Sequence, residues 1–69
     1  MTYICTVFAD MEKTKMLRKP VIRKTEKGFS DFANKMYDKY YNKYPDLTVD
    51  ISGWNEETMD IVPWTTYHA

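Results

Sequence analysis

Few side chains in this sequence are of types that catalyse reactions, and none stands near the partners that catalysis requires. The single histidine, His68, is the penultimate residue, where chain ends are usually poorly ordered. The single cysteine, Cys5, lies in an apolar run, which favours a buried thiol over a nucleophile. Ser30 is a candidate helix cap and Ser52 lies in a predicted strand, and neither has a triad partner in view. The residue types therefore predict that the chain is not an enzyme.

Metal and cofactor binding also lack a sequence pattern. The cysteine and the histidine are too far apart for metal-ligand spacing, and Gly28 and Gly53 are too few for a loop that cradles phosphate. Glu56, Glu57 and Asp60 form a small acidic group, but an acid-rich turn is ordinarily just solvated. We therefore expect no catalytic residue, no metal site and no cofactor.

Basic side chains are concentrated in the middle of the chain. Residues 13–43 hold all ten lysines and arginines against three acids, which gives this segment a net charge of plus seven. Its densest part contains Arg18, Lys19, Arg23 and Lys24. Arginine pairs bidentately with carboxylate or phosphate, so these four are candidates for binding an acidic partner protein or a nucleic acid. The alternative is that these charges have no partner: some lie on a solvated helix face, and the others keep an edge strand from pairing with strands of other molecules.

The carboxyl-terminal part has the opposite character. Residues 44–69 carry a net charge of minus five and contain Trp54, Trp64 and Tyr67. Tryptophan and tyrosine are frequent energetic anchors of protein interfaces, so these three are candidate partner-binding residues. The alternative, favoured by the large area that an indole buries, is that both tryptophans complete the core of a small domain.

Length and composition narrow the class of protein. The 69 residues suffice for one domain, predicted to span 1–69, and the formal charge balances to zero. One cysteine cannot form an internal disulfide, no apolar run approaches a membrane span, and the first ten residues lack the features of a signal peptide. We therefore expect a cytoplasmic protein without a membrane partner.

One segment has a strong helical period. Over residues 26–44, apolar and aromatic side chains recur every three or four positions, which predicts an amphipathic helix. Thr25 or Ser30 is the candidate N-cap, and Pro45 stops the helix because the residue before a proline avoids the α region. The predicted buried stripe consists of Phe29, Phe32, Ala33, Met36, Tyr37, Tyr40 and Tyr44.

Strand patterns flank this helix on both sides. Residues 2–9 are β-branched and aromatic on both faces, which is typical of a central strand, and residues 47–52 alternate as in a half-buried strand. Residues 16–24 and 58–67 are further strand candidates. Pro20 indicates an edge position for the first, and Pro63 indicates that the second lies at an edge or is split. Residues 53–57 are expected to supply the turn between the last two strands.

The resulting order is β-β-α-β-β. One helical stripe and one sheet face are buried most simply when the helix lies across an antiparallel sheet. We therefore predict an α+β fold: a small domain in which one amphipathic helix packs on an antiparallel sheet.

In size, in its preference for lysine over arginine and in its element order, the chain resembles the small accessory proteins of bacteriophages. Its many tyrosines and methionines fit the same group, which includes anti-CRISPR inhibitors and viral antitoxins that bind and block a host protein. The resemblance implies a non-catalytic inhibitor or modulator that binds a host or defence protein in the host cytoplasm. The alternative is a nucleic-acid-binding module that uses the basic segment 13–43, and a homodimer is compatible with either.

Overall fold

A computed structural model describes residues 1–68, in which one helix packs on one face of a four-stranded sheet. The elements in chain order are β1 (Thr2–Phe8), β2 (Val21–Arg23), α1 (Glu26–Tyr40), β3 (Thr48–Asn55) and β4 (Asp60–His68). All neighbouring strands are antiparallel and lie in the order β2-β1-β3-β4. The predicted α+β fold and its β-β-α-β-β order are therefore confirmed.

Strands β1 and β3 form the centre of the sheet. They pair along the whole of β1, from Thr2 opposite Trp54 to Phe8 opposite Thr48. The central position predicted for the first strand is confirmed. Its burial nevertheless alternates, because the helix covers one face of the sheet only.

Strand β2 is much shorter than the predicted segment 16–24. Only Val21–Arg23 pairs continuously with β1, although Met16 also forms an isolated bridge with Phe8. Pro20 lies between these two contacts and cannot donate to a ladder, which accounts for the interruption. The predicted edge position of this strand is confirmed.

The helix begins at Glu26, directly after Thr25, which was one of the two candidate N-caps. The Thr25 hydroxyl accepts a hydrogen bond from the Gly28 N–H at 3.0 Å, whereas Ser30 lies inside the helix. The helix ends at Tyr40, earlier than the predicted Tyr44, and the Tyr44 N–H still bonds to the Tyr40 carbonyl at 3.0 Å. The last predicted turn is therefore present as a turn rather than as helix.

The core lies between α1 and the covered face of the sheet. Four side chains of the helix are buried against side chains of β1 and β3, while Tyr37, Tyr40 and Tyr44 pack half-buried at its margin. This agrees with the predicted stripe. The buried apolar residues are Tyr3, Cys5, Val7, Phe29, Phe32, Ala33, Met36, Leu47, Val49 and Ile51.

The predicted turn at residues 53–57 is wrong at its start. Strand β3 continues through Gly53 and Trp54 to Asn55, because its ladder with β1 extends to Trp54 and its ladder with β4 to Asn55. The turn occupies residues 56–59, and the side-chain oxygen of Asn55 accepts the Glu57 N–H at 3.0 Å. The sheet is therefore longer at this end than the alternating pattern indicates.

Strand β4 forms the second edge of the sheet, as its proline predicts, and it contains a bulge. Ile51 pairs with Thr65 while the next residue of β3, Ser52, pairs with Pro63. Trp64 is therefore an extra residue without a partner on β3. Bulges of this kind redirect a side chain and increase the local twist.

We expect Phe32→Ala to unfold the isolated chain. Phe32 is only 3% exposed, and truncation of a buried phenylalanine costs about 3–5 kcal/mol. A domain of this size has a net stability of similar magnitude. Circular dichroism during thermal unfolding measures the effect, with Lys35→Ala on the exposed helix face as the control. A sharp transition near the wild-type temperature would contradict this packing arrangement.

Candidate functional site

The structure separates the seven predicted partner-binding residues into distinct surfaces. Arg18 and Arg23 lie together against the Phe32 ring, at the β2 side of the helix. Trp64 and Tyr67 lie at the other side, where β4 extends beyond the helix. The remaining three are Trp54 and Lys24, on the sheet face that the helix leaves uncovered, and Lys19, which is exposed before β2.

The tryptophans do not complete the core, so the favoured alternative for them is wrong. Trp64 is 43% exposed, and Trp54 is half-buried on the uncovered face, where it pairs with Thr2 and Ile61. The core is filled without them, because the helix stripe already covers the apolar face of β1 and β3. Both indoles are therefore available at the surface.

A groove runs between the amino-terminal half of α1 and the carboxyl-terminal half of β4. We call it the α1–β4 groove. The helix packs mainly on β1, β2 and β3, so the helix-side face of β4 is left largely uncovered. The groove is lined by Glu26, Lys27, Phe29, Ser30, Trp64, Thr65 and Tyr67.

Aromatic contacts fix the position of Trp64 in this groove. Its ring meets that of Tyr3 edge-on, with centroids 5.3 Å apart and planes at 64°. Tyr3 in turn meets Phe29 edge-on at 4.8 Å. Such pairs contribute about 0.5–1.5 kcal/mol beyond their buried area. Trp64 is therefore held against the core on one side while much of its surface stays open.

Gly53 supplies the space that Trp64 occupies. A Cβ at this position would lie 3.3 Å from Cε3 of Trp64, 3.4 Å from Cγ2 of Val62 and 2.7 Å from Sδ of Met1. A larger side chain would therefore meet the indole directly. The bulge and the glycine act together, since one directs Trp64 toward the helix side and the other leaves room for it there.

A second arrangement lies on the opposite side of α1. The guanidinium carbons of Arg18 and Arg23 are 5.7 and 5.4 Å from the centroid of the Phe32 ring. We call these two residues the arginine pair. Both distances are within the range of cation–π contacts.

The uncovered face of the sheet is apolar at one end and polar at the other. Beside Trp54, its partner Ile61 is 60% exposed, and on β2 the side chain of Ile22 is 50% exposed on the same face. Toward the other end, Asp50 bonds to Lys13 at 3.0 Å and accepts from the Thr66 hydroxyl at 3.0 Å. Trp54 and Trp64 therefore lie on opposite faces of the sheet and cannot belong to one flat contact surface.

Groups that could support chemistry are sparse in the described part of the chain. Cys5 is fully buried, and burial raises the pKa of its thiol, an effect that nearby Arg23 partly opposes. Within residues 1–68, no three His, Cys, Asp or Glu side chains are grouped closely enough to hold a metal ion. No helix in these residues is long and apolar enough to cross a membrane.

Comparison with models of protein families, with curated proteins and with solved structures gives no match to this chain.

Sequence reasoning identified Trp64 and Tyr67 of the groove but missed the residues that position Trp64. Tyr3 and Gly53 belong to other strands, and only the strand register brings them beside Trp64. The available signal was Pro63 next to Trp64, since a proline in a strand indicates an edge or a bulge.

We expect Gly53→Val to displace Trp64 from its contact with Tyr3. The added atoms would occupy space that the indole fills, and such overpacking typically costs about 1–3 kcal/mol. Near-ultraviolet circular dichroism in a Trp54→Phe background isolates the signal of Trp64. Retention of the parent spectrum would show that the groove does not depend on this glycine, and Gly53→Ala provides a smaller step for comparison.

Proposed function

We propose that this chain is a non-catalytic protein-binding module that takes an extended segment of a partner protein along strand β4. The supporting observation is Trp64, which is 43% exposed although its position is fixed by the Tyr3 ring, the bulge and Gly53. An indole that is already fixed in position loses little conformational entropy when a partner covers it. These features are typical of an interface anchor.

The outer edge of β4 supports an extended shape for the partner segment. In the described residues β4 pairs with β3 alone, so one row of its backbone groups is unpaired. Pro63 and the bulge at Trp64 interrupt this edge, which leaves residues 65–68 as the regular part beside the groove. An added strand there places alternate side chains in the α1–β4 groove, as in recognition by β-strand addition.

Charge favours a basic partner segment. Glu26 lies on the wall of the groove, and Glu56, Glu57 and Asp60 are exposed at the turn where β4 begins. Lys27, the basic residue of the groove wall, is already paired with Asp31 at 3.2 Å. A segment with an apolar side chain for the groove and lysine or arginine toward the turn therefore complements this surface.

The proposal extends to the partner and to the effect of binding. The partner is a host or defence protein, and the chain acts as its inhibitor in the host cytoplasm. Both points are supported by the resemblance to phage accessory proteins in size, composition and element order. Covering a groove and an edge strand requires no catalytic group, which suits a protein that acts by occupying a surface.

Selection of extended peptides from a random display library tests the proposal directly. We expect the selected peptides to carry an apolar residue near basic residues, and Trp64→Ala to weaken their binding by roughly 30-fold or more. Trp54→Ala is the matched control, because it removes the same side chain from the opposite face of the sheet. Isothermal titration gives the affinities, and amide shifts locate the binding site.

Three outcomes would contradict the proposal. Equal losses from the two alanine variants would remove the groove from the binding surface. Peptides that shift residues around Trp54 alone would place binding on the uncovered sheet face. A dimer in light scattering that Trp64→Ala converts to the 8.3 kDa monomer would show that a second copy fills the groove instead.

A further inference from the structure

We infer that the arginine pair forms a binding site for a phosphate-type oxyanion, separate from the α1–β4 groove and independent of the function proposed for it. The two guanidinium groups lie at the same Phe32 ring. They lie five residues apart in one segment, since Arg18 precedes β2 and Arg23 is its last residue. They are the only two arginines of the sequence, and the fold places both at the same ring of α1.

No carboxylate neutralises this pair among the described residues. The ion pairs in residues 1–68 are Lys13 with Asp50 and Lys27 with Asp31, and neither involves an arginine. Two like charges at one ring repel each other, and the cost falls when an anion lies between them. The pair is therefore a concentration of positive charge without an internal partner.

Both side chains are positioned before any ligand arrives. Arg23 donates one N–H to the Ile22 carbonyl at 2.9 Å. Its aliphatic carbons pack beside Gly28, where a Cβ atom would lie 3.5 Å from Cβ and Cδ of Arg23. Arg18 directs one N–H toward the Met36 sulfur at 3.9 Å. The other N–H groups of the two guanidinium forks are not used by the protein, and Arg18 is exposed to solvent.

The chemistry of the site matches a phosphate monoester better than a carboxylate. One carboxylate has two oxygens, which a single guanidinium fork already occupies. A phosphate monoester offers three oxygens and a charge near minus two, so it can accept from both forks and balance both charges. The ring of Phe32 supplies an apolar backing that limits competition from water on one side.

Titration with inorganic phosphate at constant ionic strength tests this site, followed through the backbone amide signals beside Phe32 in every variant and through the two arginine Nε–H signals in the wild-type protein. We expect saturable shifts of both signals in the wild-type protein. Arg18→Lys with Arg23→Lys keeps the charge but removes the forks, and we expect binding to weaken about tenfold or more. Wild-type affinity in this lysine variant would overturn the proposal.

Two variants that remove the same number of charges distinguish a specific phosphate site from nonspecific electrostatic attraction of phosphate to a basic surface. Arg18→Gln with Arg23→Gln and Lys35→Gln with Lys39→Gln each remove two positive charges, the second from the exposed side of α1. Phosphate binding should be lost in the first variant and kept in the second, with thermal unfolding confirming that both are folded. Equal weakening in the two would overturn the proposal.

The source of the phosphate is resolved by two further probes. Phosphoserine and a nucleoside monophosphate present the same group on different carriers, and tighter binding of either one supports the site and identifies its class of ligand. If a single-stranded oligonucleotide binds with a steep salt dependence while inorganic phosphate gives no saturable shift, the site is overturned in favour of a nucleic-acid surface.

Discussion

The packing of one helical stripe against one sheet face determines everything else in this small structure. Phe29, Phe32 and Met36 meet the alternate side chains of β1 and β3, and together these residues make up most of the core. A chain of this length has too little buried area to build a second apolar layer. The helix therefore covers the centre of the sheet and leaves its other face and its last strand exposed.

The two candidate surfaces are consequences of how that helix is placed. On one side its Phe32 ring contacts the arginine pair, and on the other its Phe29 ring contacts Tyr3, which in turn contacts Trp64. The same buried stripe thus supports a basic site and an aromatic groove, with the width of the helix between them.

The sequence patterns that depend on interactions between residues close in the chain predicted the fold well. The helical period, the Thr25 cap and the alternation in β3 each depend on neighbouring residues, and each agrees with the structure. The site was less predictable, because it depends on strand register. Trp64 and Tyr67 were identified from their residue types alone. Gly53 was instead predicted to lie in a turn, because a glycine within a strand is explained only by the side chain that packs against it, and here that side chain is Trp64.

The interruption of β4 also bears on how this protein behaves at high concentration. Stacking of identical segments into amyloid needs an uninterrupted run of about six or seven residues with high strand propensity. Pro63 and the unpaired Trp64 divide the last strand into shorter runs, even though it is rich in threonine, tyrosine and tryptophan. An exposed strand that remains able to accept one guest segment is in this way kept from propagating into a fibril.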